Sequence, residues 1–381
     1  MIPTAMPSES LLLPILRQEI RAAGGQIPFA RFLEQCLYHP QHGYYNTERV
    51  KLGARGDFYT SAHAAPVFAR LLARHFERLW LELGHPARVD LVELGPGDGQ
   101  FAAELLPWIA RRFPEFSSCL HYTAIEQSAV LRARLQEELA LLGARVRILE
   151  TFPAANNEAG KFTGCVFANE FFDALPFHIL VWRDGRWLER YVCLDGDKLA
   201  WREDIPSEAA LEQQAQRLFA SRRSEDRHIV RVAELRPAAT QWIQAIAGSL
   251  VRGEVLIVDY GYLREEWQVG RFPEGSALAY REHRVIDDLL ASPGEQDLTA
   301  HVNFSQLIEA AERSGLRPQT PLPQPQSRFL IALAEPDQLQ DVFAGCTSDQ
   351  ERQERARLFK TLLLPQGMGE TFRVLQLRQG M

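Results

Sequence analysis

Gly95, Gly97 and Gly99 stand two residues apart in the run Glu93-Leu94-Gly95-Pro96-Gly97-Asp98-Gly99, after the apolar segment Val89-Asp90-Leu91-Val92 and before the helical pattern Phe101-Ala102-Ala103-Glu104-Leu105-Leu106. A strand, a glycine turn and a helix suit a nucleotide-like ligand, because glycines let the backbone bend sharply against it and the helix start offers N–H groups without partners. The spacing is G-x-G-x-G, whereas a dinucleotide fingerprint asks for G-x-G-x-x-G and an acid about 20 residues on. Here the acid that ends the next strand, His121-Tyr122-Thr123-Ala124-Ile125, is Glu126, roughly 30 residues after Gly95. A carboxylate at that strand end can take both hydroxyls of a ribose. Glu93 places a second negative charge near the turn, which suits an ammonium or a sulfonium and repels a pyrophosphate. S-adenosyl-L-methionine carries both cations and is the expected cofactor, with Glu93, Gly95, Gly97, Gly99 and Glu126 as its candidate contacts.

A second group of chemically capable residues follows the strand Cys165 to Asn169, in Asn169-Glu170-Phe171-Phe172-Asp173-Ala174-Leu175-Pro176. Methyl transfer is an in-line displacement, so the protein mainly has to aim the acceptor lone pair and exclude water. Asn169 can orient a nitrogen acceptor, and Glu170 or Asp173 can grip a guanidinium through charge-assisted hydrogen bonds and receive its proton. Phe171 and Phe172 would wall such a site and attract a cation. The strand Val255 to Tyr260 ends in Asp259-Tyr260-Gly261, which adds Asp259 as a catalytic candidate and Tyr260 as a substrate contact. His283 and His301, in loops rich in carboxylates, are further substrate-side candidates. His39 and His42 have H-x-x-H spacing on a proline-containing turn with no third ligand near them, so no metal site is expected.

These groups need a scaffold. Strands at Val89 to Glu93, Tyr122 to Glu126, Val146 to Leu149, Cys165 to Asn169 and Val255 to Tyr260, the first three separated by helical patterns, predict an α/β fold on a parallel sheet with ligands at the carboxyl ends of the strands. Pro66 opens a helix whose stripe of Val67, Leu71, Leu72, Phe76, Leu79 and Leu83 is core. Upstream, residues 8 to 38 read as two short helices broken at Gly24-Gly25, and the loop Gly53 to Thr60 reads as a lid facing cofactor or substrate, with Gly56, Asp57, Phe58 and Thr60 its candidate contacts. Two alternating runs around Asp184-Gly185, from Phe177 to Val192, predict a β-hairpin inserted between the fourth and fifth strands, where inserted elements commonly meet the substrate. Asn303 caps a helix from Phe304 to Arg313, with Gln306 three residues on, and Phe329 to Leu333 reads as a late strand.

The expected organisation is therefore an N-terminal helical arm and lid over 1–88, a cofactor-binding catalytic core over 89–176 and 229–336, an inserted substrate-side subdomain over 177–228 and a C-terminal extension over 337–381. With 381 residues and 46% hydrophobic content the chain can bury a core of that size. A net charge of -7 offers no general basic surface for nucleic acid, which leaves protein or small-molecule substrates. Five scattered cysteines without a C-x-x-C pair argue against a disulfide framework and a zinc site, and point to reduced thiols and a cytoplasmic location. The apolar run Leu11 to Leu16 is too short for a membrane span and lacks the features of a signal peptide. Nothing in the pattern announces an oligomer interface or excludes one.

The chain resembles the MidA-like methyltransferases, a family that includes a mitochondrial complex I assembly factor that methylates an arginine. The resemblance runs from about Gly43 to Leu375 and rests on Gly43-Tyr44-Tyr45, Gly56 to Thr60, Glu93 to Gly99, Asn169 to Pro176, Asp259-Tyr260-Gly261, Asp297 to His301, and Met368-Gly369-Glu370 before Phe372. It implies a class I methyltransferase fold of Rossmann-like form with an N-terminal helical arm, S-adenosyl-L-methionine as cofactor, and an acceptor arginine on a subunit of respiratory NADH dehydrogenase. Tyr59, Ala62-His63 and Asn303 stand where the family usually has threonine, Pro-Glu and aspartate. Two rival readings predict other behaviour: a cofactor-binding assembly chaperone would mature its partner without methylating it, and a nicotinamide-dependent oxidoreductase would be stabilised by NAD rather than by S-adenosylhomocysteine.

Overall fold

The computed structural model describes residues 10–47, 65–142, 145–153, 160–219, 232–269, 271–281, 284–335 and 338–381. The chain forms two compact units, one built from Met1–Lys51, Ala174–Pro237 and Arg264–Ala300, the other from Leu52–Asp173, Ala238–Leu263 and His301–Met381.

The larger unit is organised by a sheet in which Val146–Leu149, Leu120–Ile125, Val89–Leu94, Phe162–Asn169 and Leu250–Tyr262 lie side by side in that order, all parallel. All six residues of Val89–Leu94 are buried, as expected of a parallel strand covered on both faces. Phe372–Gln379 pairs antiparallel with Leu250–Tyr262. The helices Ala65–Glu82 and Gln100–Arg112 cover one face through Phe68, Leu72, Phe76, Phe101 and Leu105. Phe167 lies beneath them, its ring 5.0 Å from that of Phe101 and 5.8 Å from that of Phe76. Fully burying such a side chain contributes about 1.5–3 kcal/mol.

Two expectations change in this unit. Phe329 to Leu333 is not a strand but part of the helix Gln326–Ala334, which starts after Pro325. Its buried residues Gln326, Phe329, Leu330, Leu333 and Ala334 follow helical spacing, and an apolar run this short does not distinguish the two periods by itself. The last sheet strand is instead Phe372–Gln379. Consequently 337–381 does not stand apart as an extension, because it supplies that strand.

The smaller unit holds the helices Leu13–Ala22 and Phe29–Tyr38, and a sheet ordered Gln26–Pro28, Arg186–Asp195, His178–Arg183, Val232–Leu235, with Lys198–Asp204 on the Arg186–Asp195 strand. The expected hairpin is present. Asp184 and Gly185 both take positive φ, 47° and 85°, the two-residue turn whose twist matches paired strands. Phe29, Phe32 and Leu33 share one core with Phe177, Ile179 and Val192. The N-terminal helices and the insertion thus form one body, where the sequence pattern had separated 1–88 from 177–228. Helix Ala65–Glu82 belongs to the other unit. His39 and His42 lie in the turn after the second helix with stacked rings 5.3 Å apart, and His39 Nδ1 accepts from the N–H groups of Gln41 and His42. All five cysteines are free thiols. Among the described residues, no helix is long and apolar enough to cross a membrane.

Candidate active site

The site lies where the parallel strands of the larger unit end. Gly95, Gly97 and Gly99 have φ of 63°, 61° and 88°, a conformation that costs other residues about 1–2 kcal/mol each. The Gly95 N–H donates to the Ile125 carbonyl at 2.9 Å, which ties the turn to the neighbouring strand. A Cβ at Gly99 would stand 2.5 Å from Leu135, and one at Gly95 would stand 3.0 Å from the Phe171 ring.

Glu126 follows the Leu120–Ile125 strand and is 8% exposed. Its carboxylate accepts from the Ser128 N–H at 2.8 Å and from the N–H groups of Gly97 and Gln127, so the glycine turn and the acid are joined. Burial pushes its carboxyl up to about 7, against the pull of those donors and of Arg132. The Ser128 hydroxyl caps the helix Ala129–Leu139 by accepting from the Leu131 N–H at 3.1 Å. Gly95, Gly97 and Glu126 thus bring a bare glycine backbone against a buried carboxylate, the residues that could hold a nucleoside.

Glu93 differs from its expected part. Instead of presenting an open second charge, it is 4% exposed and accepts a hydrogen bond from the Tyr122 hydroxyl on the next strand. Burial pushes its carboxyl up to about 7, while the Tyr122 bond opposes the rise.

On the other side of the Val89–Leu94 strand, Phe162–Asn169 runs into the second constellation. Asn169 Nδ2 donates to Glu170 Oε1 at 3.2 Å. Glu170 has φ 49°, left-handed for a non-glycine residue, and its N–H donates to the Val258 carbonyl at 2.9 Å. Asp259 is fully buried. Its Oδ2 accepts from the N–H groups of Phe172 at 3.1 Å and Asp173 at 3.2 Å, and its Oδ1 accepts from the Tyr260 N–H at 2.9 Å. The Tyr260 hydroxyl donates to Asp173 Oδ2 at 2.5 Å. His301 meets the rings of Tyr260 and Tyr262 edge-on, at 5.4 and 5.2 Å. Phe171 packs edge-on against Phe172 at 5.4 Å and Trp242 at 5.0 Å.

The structure thus gathers Glu93, Gly95, Gly97, Gly99 and Glu126 around one strand end, and Asn169, Glu170, Phe171, Phe172, Asp173, Asp259, Tyr260 and His301 around its neighbours, with Phe171 touching both groups. Phe172, 0% exposed, is core rather than wall, and Asp259 is engaged by backbone donors within the protein. Gly56, Asp57, Phe58, Tyr59, Thr60, Ala62, His63 and His283 lie outside the described residues. Three contributors were not foreseen: Tyr122, Ser128 and Trp242. A serine three residues before Leu131 at a helix start was a readable signal for Ser128. Trp242 reaches Phe171 from a distant helix and left no local sign.

A family model for S-adenosyl-L-methionine-dependent methyltransferases matches residues 71–322. The chain belongs to this methyltransferase family. A Burkholderia thailandensis protein crystallised with S-adenosyl-homocysteine shares 30% identity and superposes with a TM-score of 0.83 over 97% of this chain and 92% of that one. The methyltransferase is also similar to the mitochondrial protein arginine methyltransferase NDUFAF7 of Rattus norvegicus, at 29% identity over 96% of this chain and 85% of the relative. The homolog in Drosophila melanogaster is 28% identical over the same shares. The protein is accordingly an S-adenosyl-L-methionine-dependent methyltransferase of class I fold. The expectation of a cytoplasmic location is corrected by these relatives, which are named as mitochondrial proteins. It rested on unpaired cysteines, and those fit any reducing compartment.

Proposed function

We propose that the methyltransferase modifies an arginine of a protein substrate, and that the acceptor is a subunit of respiratory NADH dehydrogenase. The arginine part is supported by the names of the relatives and by the chemistry of the second constellation; the choice of subunit follows the family resemblance. The observation that carries the reading is Glu170, a half-buried carboxylate held by Asn169 and by the backbone in a strained conformation, one strand away from the glycine turn.

S-adenosyl-L-methionine supplies a methyl group on a positively charged sulfur that leaves as a neutral thioether. The Gly95 to Gly99 turn and Glu126 hold the nucleoside, and the Phe171 ring packs beside Gly95. A guanidinium is protonated at neutral pH and is a poor nucleophile. Glu170 grips it, polarises one nitrogen and takes the proton as that nitrogen gains its new carbon bond, so the carboxylate ends protonated and the arginine keeps its charge. Asn169, donating to Glu170 Oε1, orients that carboxylate.

The test is methyl transfer from labelled S-adenosyl-L-methionine to purified respiratory subunits, with methyl-arginine located by mass spectrometry. Label on an arginine that disappears with Glu170→Gln is the expected result. Intact S-adenosylhomocysteine binding with no label on any arginine would overturn the reading and favour the chaperone.

A further inference from the structure

We infer that Asp259 and Tyr260 are positioning residues for the acceptor step, which rests on the proposed grip of Glu170 on a guanidinium. Glu170 occupies the left-handed region at φ 49°, which an L-residue with a long side chain rarely adopts. If only the turn mattered, glycine would fill the position without strain, as it does at Gly95, Gly97 and Gly99. His85, Asp184, Ser292, Gln338 and Leu339 also take positive φ, but Glu170 alone among these stands with its carboxylate on Asn169 at a strand end beside the glycine turn, which points to a side chain needed where this conformation sends it.

The strain must be held by neighbours, and the adjacent strand supplies them. Val258 takes the Glu170 N–H through its carbonyl. Asp259 takes the N–H groups of Phe172 and Asp173, two and three residues after Glu170, on one oxygen, and anchors its other oxygen on its own strand through the Tyr260 N–H. Tyr260 then binds the Asp173 carboxylate through its hydroxyl. The turn is thus fixed by main chain through Asp259 and by side chain through Tyr260. Asp259 is 0% exposed and Tyr260 is 7% exposed. Both act through Glu170 rather than on the substrate.

The test needs no identified acceptor. The probe is a conjugate in which a guanidinium is joined by a short alkyl linker to the 5′ carbon of adenosine, and its affinity is compared with that of S-adenosylhomocysteine by calorimetry on the full chain. The parent protein binds the conjugate more tightly by about 10- to 100-fold, the contribution of a charge-assisted contact. Asp259→Asn places an amide N–H against backbone N–H groups and removes most of that preference, and Tyr260→Phe removes part of it. In both, S-adenosylhomocysteine affinity stays within about twofold of the parent. Combined with Glu170→Gln, neither variant loses more than Glu170→Gln alone, which a merely structural role would not produce. Should Asp259→Asn fail to fold, Tyr260→Phe carries the same comparison, since it removes one hydroxyl. A preference that survives both variants, or one whose loss adds to that of Glu170→Gln, overturns the inference alone. No preference in the parent overturns the arginine reading and the inference with it.

Discussion

Both the Gly95 to Gly99 turn and the Glu170 to Asp173 turn leave the ends of neighbouring parallel strands, and both contain backbone in the left-handed region. In the first, the strain is avoided by residue type: three glycines carry the positive φ, and a missing Cβ also leaves room for Leu135 and Phe171. In the second, a glutamate carries the positive φ, and the neighbouring strand holds it there through Val258, Asp259 and Tyr260. On the function proposed above, the difference separates two tasks. A cofactor recognised largely through shape and backbone can be met by a turn without side chains, whereas an acceptor whose proton must be taken needs a charged side chain at a fixed place.

Substitutions that touch one turn and spare the other sharpen this division. The largest effect is expected for Glu170→Gln, which should lower methyl transfer by about 10²- to 10⁴-fold, the usual contribution of a positioned general base. Its S-adenosylhomocysteine affinity, measured by calorimetry, should remain that of the parent; a parallel loss would mean that the two turns are not independent.

A change of pH should act on the cofactor side. Glu126 and Glu93 are raised from 4.5 to about 7 in the folded protein, so the native state binds more protons than the unfolded chain between those values. The stability of the free protein should therefore fall as pH rises from 4.5 to about 7 and level off above it. Ribose hydroxyls donate best to ionised Glu126, so S-adenosylhomocysteine affinity should move the other way, weakening by up to about tenfold per unit below the folded pKa. Thermal melts with and without the ligand over this range would show both slopes, and Glu126→Gln should flatten the affinity slope.

Gly95→Ala is expected to be milder. Its Cβ meets the Phe171 ring at 3.0 Å in a left-handed conformation, which should cost about 1–2 kcal/mol, read as a lower Tm and a several-fold weaker affinity for S-adenosylhomocysteine. The smallest effect serves as the control. Asn303 accepts from the Gln306 N–H at 3.3 Å as the cap of Phe304–Arg313, and Asn303→Ala should cost about 1 kcal/mol of stability without changing ligand affinity.

The legible parts of this protein are those whose causes lie within a few residues. The G-x-G-x-G turn, the acid closing the next strand, the Asp184-Gly185 hairpin and the Asn303 cap each depend on a local backbone requirement that particular residue types meet, so the cofactor and the α/β class could be read from the chain. Glu170 is legible at a strand end in the same way, but the partners of the acids Asp259 and Glu93 are not. Asp259 reads as a second acid at a strand terminus, while its partners at Phe172 and Asp173 lie 87 and 86 residues away. Glu93 reads as an open charge until Tyr122 is brought beside it by strand register.

Sequence alone therefore determined most of the elements, though not the helix at Phe329 to Leu333, together with the cofactor turn and the identity of the side chains available for chemistry, because period, capping and positive φ are short-range demands. Tertiary structure alone decided which acid is half-buried, which are buried and which binds the backbone of the neighbouring turn. It also decided that the N-terminal helices share a core with the inserted hairpin, since burial and hydrogen-bond partnership are set by chain segments that meet only after folding.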